Sequence, residues 1–227
     1  ACREAIAELQ KAKGTGQRVP GETCTHYLTT TKEVLDNPDF NEAAKFVCSP
    51  ALRDREDCEA LWQALSDGLL TAVSSDHCGI DVAELKQAGR NDFTQIPNGS
   101  PGAGDRLHMV WTEGVCTGKL TRQKFVDVIA TQPAKINGIY PRKGTLAVGS
   151  DADVVIFDPN YEGTVHLADN PNGVDYNLYE GRRQSGRVET VLLRGQVVVE
   201  NAKFVGRYGQ GKFIPANMYA SGYENRK

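Results

Sequence analysis

Residues 69–78, LLTAVSSDHC, are an apolar, β-branched run that ends on Asp76 and His77. The pattern predicts a buried strand whose C-terminal tip presents a carboxylate. In a β/α barrel the chemistry sits at those tips, where side chains from several strands converge on one point. A metal-dependent hydrolase built on such a barrel needs a carboxylate there. An aspartate after a strand is also an ordinary turn or helix-capping residue, so the segments on either side decide between the two readings.

Upstream, residues 2–13 carry a helical pattern that ends near Gly14. A short strand then leads through Arg18 and Val19 toward Gly21-Glu22-Thr23, and a long loop follows as far as residues 45–48, KFVC. Asp54, with Asp57 three residues on, starts a helix that buries Leu61, Trp62 and Leu65 and stops at Gly68. The 69–75 strand comes next. Residues 79–104 form a loop rich in Gly, Pro and Asn that is too long to be a mere connector. Helices recur at roughly 105–116, 122–130 and 132–138. This alternation predicts an α/β architecture with parallel strands as far as about residue 140.

After Pro141 the pattern changes. Residues 153–158 (DVVIFD), 188–193 and 196–200 are β-rich runs, and Arg194-Gly195 sits between the last two as in a tight hairpin. Residues 141–227 are expected to form a small β domain.

The 227 residues are 40% hydrophobic with a net charge of −3, the composition of a soluble globular protein. No basic face recommends nucleic acid or an anionic membrane. No apolar stretch approaches the roughly 20 residues of a membrane span. The N-terminus, ACREAIAELQKAKG, has no initiator Met and no signal-peptide core, and reads as the middle of a helix. The chain is therefore expected to start inside a larger, cytoplasmic protein. The six cysteines (2, 24, 48, 58, 78 and 116) form no C-x-x-C pair, which argues against a zinc ribbon or a disulfide framework. Most are expected to be buried, reduced thiols.

A series of short motifs follows in order: Gly21-Glu22-Thr23-Cys24 with Tyr27-Leu28, Cys48-Ser49-Pro50 with Leu52-Arg53, Ser75-Asp76-His77-Cys78, and Asp92-Phe93-Thr94 with Ile96-Pro97-Asn98-Gly99. Residues 140–144 (YPRKG), 148–153 (VGSDAD), 174–176 (VDY), 179–181 (YEG) and 211–215 (GKFIP) complete the series. In this order and spacing the chain resembles the C-terminal half of the hydantoinase/dihydropyrimidinase family of cyclic amidohydrolases.

The resemblance implies an α/β fold: the C-terminal part of a (β/α)8 TIM-type barrel over residues 1–140, then β-sandwich strands and a tail over 141–227. It also implies a binuclear divalent metal centre, zinc being the expected ion, and hydroxide attack on a hydantoin or dihydropyrimidine ring to give an N-carbamoyl amino acid. Asp76 matches the aspartate that contacts one metal, accepts the nucleophile's proton and returns it to the leaving ring nitrogen. Ser49 and Asn98 match positions whose main-chain groups bind the cyclic ureide substrate, and Cys78 is expected to line the pocket. Without the family match, Ser49 reads as a pre-proline turn residue and Asn98 as the start of an Asn-Gly turn.

Asp76 is the single candidate metal ligand legible here. The family's two first-strand histidines, its carboxylated lysine and two later histidines are expected upstream, in a missing N-terminal half of the same enzyme. His77, pointing away from Asp76 on a strand, is read as packing. His26, His108 and His166 carry no ligand spacing and are read as structural or surface residues, and Trp62 and Trp111 as core. Thr25 and Gly79 stand where relatives commonly carry proline, and CSPALR replaces CSPPLR, departures that bear on substrate preference. The tail, with Phe213, Ile214, Met218, Tyr219 and Tyr223, is expected at the interface of a homotetramer. The alternative is a non-catalytic dihydropyrimidinase-related scaffold protein. Those relatives typically replace the strand-end aspartate and the PNG asparagine, and both are kept here. A third reading is an inactive remnant of a gene.

Overall fold

A computed structural model describes residues 2–217. The first helix, α1 (Arg3–Gly14), leads to strand β1 (Glu22–Cys24), and helices α2 (Thr25–Thr29), α3 (Phe40–Ala44) and α4 (Arg55–Ser66) carry the chain to β2 (Ala72–Ser74). Strands β1 and β2 pair in parallel, with Glu22 opposite Ala72 and Cys24 opposite Ser74. The α/β alternation in the sequence is therefore realised as a strand–helix–strand unit.

Strand β2 is shorter than the 69–75 run suggests. Leu70 N–H donates to Ala64 O of α4, and Thr71 donates through both its N–H and Oγ1 to Gly21 O. The first residues of the run are thus committed to the turn out of α4 rather than to the ladder. The start of α4 also differs in detail. Asp54 occupies the N-cap without a side-chain cap bond, and its carboxylate pairs with Lys32 Nζ at 2.7 Å instead. Asp57 is buried and accepts from Arg3 N–H at 2.9 Å and Arg3 Nε at 3.2 Å, fastening α1 to α4.

Leu61, Trp62 and Leu65 are buried as expected, in one core with Leu28, Val73, Val110 and Phe125. Trp62 Nε1 donates to Leu28 O at 3.0 Å, so burial of the indole leaves no unpaired donor. A cavity at Leu65, which is fully buried, would cost about 2–5 kcal/mol.

Helix α5 (Arg106–Val110) runs on through a wider π turn, 111–115; α6 (Arg122–Val126) does the same through 127–131 before α7 (Gln132–Ile136). Trp111, on the first π turn, is core, as its pattern implied. Strands β3 (Val154–Thr164), β4 (Arg183–Leu193), β5 (Gln196–Glu200) and β6 (Lys203–Phe204) form one antiparallel sheet in chain order. Arg194 and Gly195 turn the β4–β5 hairpin with φ of 51° and 78°, the left-handed pair a two-residue turn requires. Strands β3 and β4 outrun the apolar runs that announce them. Register shifts between Ile156/Phe157 and between Asp158/Glu162 accommodate the turn-like Asp158-Pro159-Asn160 stretch within the pairing.

The sheet is fixed to α5 and its π turn. Phe157 meets Trp111 edge-on at 4.8 Å, and Ser185 N–H donates to Thr112 Oγ1 at 3.0 Å. Asp105, buried just before α5, accepts from the side chains of Asn170, Asn172 and Asn177, which ties the β3–β4 connection to the same place. Among the described residues the sheets are this four-stranded one and the parallel β1–β2 pair. At the far end Asn217 N–H donates to Gly138 O at 2.7 Å. Met218, Tyr219 and Tyr223 lie outside the described residues. No helix among the described residues is long and apolar enough to cross a membrane.

Candidate active site

The parallel pairing of β1 and β2 sets Cys24 beside Ser74, with Sγ and Oγ 3.2 Å apart. Two residues past Ser74 the backbone of Asp76 adopts φ 47°, left-handed for a non-glycine residue, and leaves the ladder with its carboxylate exposed. From β1 the chain enters α2 at once, so Cys24 and His26 stay close together. Donor atoms of Cys24, His26 and Asp76 all lie within 4.8 Å of one another.

Cys24 and His26 are buried, and His26 Nε2 has no hydrogen-bond partner among the described residues. Burial pushes the Cys24 thiol up to about 11, against a smaller opposing effect of its hydrogen bond to Ser74. Burial likewise pulls His26 down to about 4, partly offset by the Asp76 carboxylate. The imidazole is therefore neutral at neutral pH, the form that ligates metals. The thiol is protonated at neutral pH, and a cation bound there would displace that proton. A neutral imidazole with an unused nitrogen, a thiol and a carboxylate form a donor set that suits a zinc-like ion. Three donors suffice for one ion and fall short of two. Asp76 was the single candidate ligand read from the sequence, with His26 as a structural or surface residue; the fold places Cys24 and His26 within reach of Asp76. His108 is half-buried and outside this cluster, and His166 is a surface residue 3.1 Å from Glu180 Oε1.

A cavity of about 510 Å³ opens against Asp76, Cys24, Tyr27 and Pro50, with Leu9 and Leu70 on its apolar side. Tyr27 Oη donates to Pro50 O at 2.8 Å, so the 48–50 loop is held to the β1–α2 segment. Ser49 and Asn98 are both exposed on neighbouring loops. Gly99 N–H donates to Val47 O at 3.0 Å, and Lys86 Nζ donates to Gly99 O at 2.8 Å.

Cys78 does not border the cavity. It packs beneath Gly99, where an added Cβ would come within 2.5 Å of its sulfur and where φ is 121°, so the turn accepts glycine alone. His77 is exposed and lies beyond β2, and its Nδ1 accepts from Gly102 N–H at 3.3 Å, a contact that fastens the loop there. The expectation of mostly buried thiols holds only for Cys24 and Cys58: Cys2, Cys48 and Cys78 are half-buried and Cys116 is exposed. A Cys-x-His pair at the end of a strand predicted to run parallel to the Asp76 strand was the available signal for Cys24 and His26. Lys86 gave no signal in the sequence.

Residues 7–198 match the model of the amidohydrolase family. The chain is 47% identical over 218 residues to the D-hydantoinase of Ralstonia pickettii, covering 96% of this chain and 47% of that protein. It superposes on a crystal structure of dihydropyrimidinase from Brevibacillus agri with a TM-score of 0.93 at 44% identity, over 96% of this chain and 47% of the other. For the D-hydantoinase of Bacillus sp. AR9 the TM-score is 0.92 at 46% identity, over 95% and 47% respectively. The chain spans about half the length of the relatives it matches.

Proposed function

The chain belongs to the amidohydrolase family, and from that premise we propose that it is the C-terminal half of a metal-dependent cyclic amidohydrolase that opens hydantoin or dihydropyrimidine rings to N-carbamoyl amino acids. The observation that carries the reading is the placement of Asp76 at the tip of β2, bordering a cavity and beside two further metal-capable side chains. In this reading residues 1–140 are the closing part of a β/α barrel, and residues 141–227 supply sandwich strands and a tail. Two divalent ions, zinc being the expected metal, supply a nucleophile near neutrality, since binding lowers the pKa of water from about 15.7 to about 7. Asp76 contributes one ligand, Cys24 and His26 stand beside it as further metal-capable side chains, and the other half of the enzyme supplies the rest.

Asp76 is the group that handles the proton. Exposed at the cavity wall, it accepts the proton of the attacking nucleophile and delivers it to the ring nitrogen as the amide bond breaks, a role worth roughly 10²–10⁴-fold. Main-chain groups at Ser49 and Asn98 hydrogen-bond the ureide, their directions set by the loops that carry them. The retention of Asp76 and Asn98 favours the enzyme over the scaffold alternative. Hydrolysis of hydantoin and dihydrouracil by the full-length protein, before and after chelation, tests the proposal. Turnover that is abolished by chelation and restored by zinc is expected, and no turnover by the metal-loaded protein would refute it.

The complete enzyme is read as a cytoplasmic homotetramer. Phe213 is 91% exposed in this chain, an apolar surface that a neighbouring subunit would cover. Deleting the residues after Ile214 is expected to lower the mass measured by light scattering. An unchanged tetramer would rule the tail out as an assembly element.

A further inference from the structure

Lys86 is fully buried, and burial pulls its amine down to about 8. Its hydrogen-bond partners are main-chain carbonyls, Gly99 O at 2.8 Å and Val47 O at 3.4 Å. A buried ammonium is expensive, and an apolar side chain of the same length would fill the space without that penalty. What the amine gains in return is the joining of two particular loops. Val47 lies two residues before Ser49, and Gly99 directly follows Asn98.

The junction is closed on every side. Gly99 N–H donates to the same Val47 O at 3.0 Å, Ser100 Oγ donates to Lys45 O at 2.6 Å, and Cys78 N–H donates to Ser100 O at 2.9 Å. The last of these bonds ties the knot to the segment that carries Asp76. Lys86 is itself anchored, since its N–H donates to Asp81 O at 3.1 Å. Its turn is pressed against the 96–99 loop at Gly89, which leaves no room for a Cβ against Ile96.

We infer that Lys86 is a positioning residue that holds the main chain at Ser49 and Asn98 in one fixed frame, so that both loops meet a single cyclic ureide. The inference rests on the ureide-hydrolase reading for the identity of the substrate. The join between the loops stands on geometry alone. Displacement of a binding group by about 1 Å can cost about 10²-fold in rate, and a hydrogen bond to a charged group is worth about ten- to a hundredfold.

The test compares wild type, Lys86→Met and Lys86→Gln in the full-length, metal-loaded protein, with two readouts. The first is amide hydrogen exchange. In Lys86→Met, exchange at Gly99 and across residues 45–50 and 96–100 is expected to quicken at least about tenfold, with α4 unchanged, and Lys86→Gln, which keeps a donor, is expected to fall between. The second is steady-state kinetics with metal content measured. KM is expected to rise about tenfold or more, by a larger factor than kcat falls. A folded Met variant with wild-type exchange in both loops and KM within twofold would overturn the inference. If Lys86→Met fails to fold, the same two criteria apply to Lys86→Gln. If wild type opens neither ring, the ureide reading fails, while the exchange result still decides whether Lys86 joins the loops.

Discussion

Asp76→Asn in the complete enzyme is expected to lower kcat by at least about two orders of magnitude while leaving the fold intact. Asparagine keeps the shape of the side chain and can follow the same left-handed backbone at φ 47°, which Asn tolerates well. What it loses is the capacity to take up a proton. Metal content must be measured on the same sample, because the substitution also replaces an anionic ligand with a neutral one. With metal retained, a loss below tenfold would show that Asp76 is not the proton acceptor. Asn98→Ala is the matched control. Its proposed contact runs through the main chain, so its loss is expected to stay far below that of Asp76→Asn, and an equal loss would point to a side-chain role.

The 227-residue chain on its own is expected neither to assemble a two-metal centre nor to open a hydantoin ring. Among the described residues the metal-capable cluster comprises Cys24, His26 and Asp76, three donors that can serve one ion. A catalytic zinc site already uses three protein ligands for a single metal. The architecture leads to the same expectation, since the described residues contribute two parallel strands whereas a closed barrel takes eight and about 250 residues. The check is metal content per chain and turnover, on material of confirmed intact mass. At most one zinc per chain and no ring opening are expected. Turnover by this chain would contradict the account.

Much of this was legible in the sequence, for identifiable reasons. The run ending at Asp76 announced its strand because apolar β-branched residues stop at a polar tip, and the hairpin at Arg194-Gly195 was legible because its turn chemistry is local. The full length of β3 was not, because Asp158-Pro159-Asn160 is turn chemistry that the sheet absorbs in a bulge. His26 was set aside because ligand spacing was sought along the chain. The cluster is instead formed across a pair of parallel strands, where Cys24 and Ser74 are neighbours at a separation of 50 residues. Lys86 was invisible for a related reason. A lysine in a polar loop looks solvated, and only the closing of the Val47 and Gly99 loops around it buries it.

The product of the reaction is the most direct measurement of the central claim. The full-length, zinc-loaded protein would be incubated with hydantoin and with dihydrouracil, and the products weighed by mass spectrometry. A product heavier than its substrate by one water, with every nitrogen retained, is expected, as opening of a ring amide to an N-carbamoyl amino acid demands. A product that has lost ammonia, or unchanged substrate in the presence of fully metal-loaded protein, would contradict that claim.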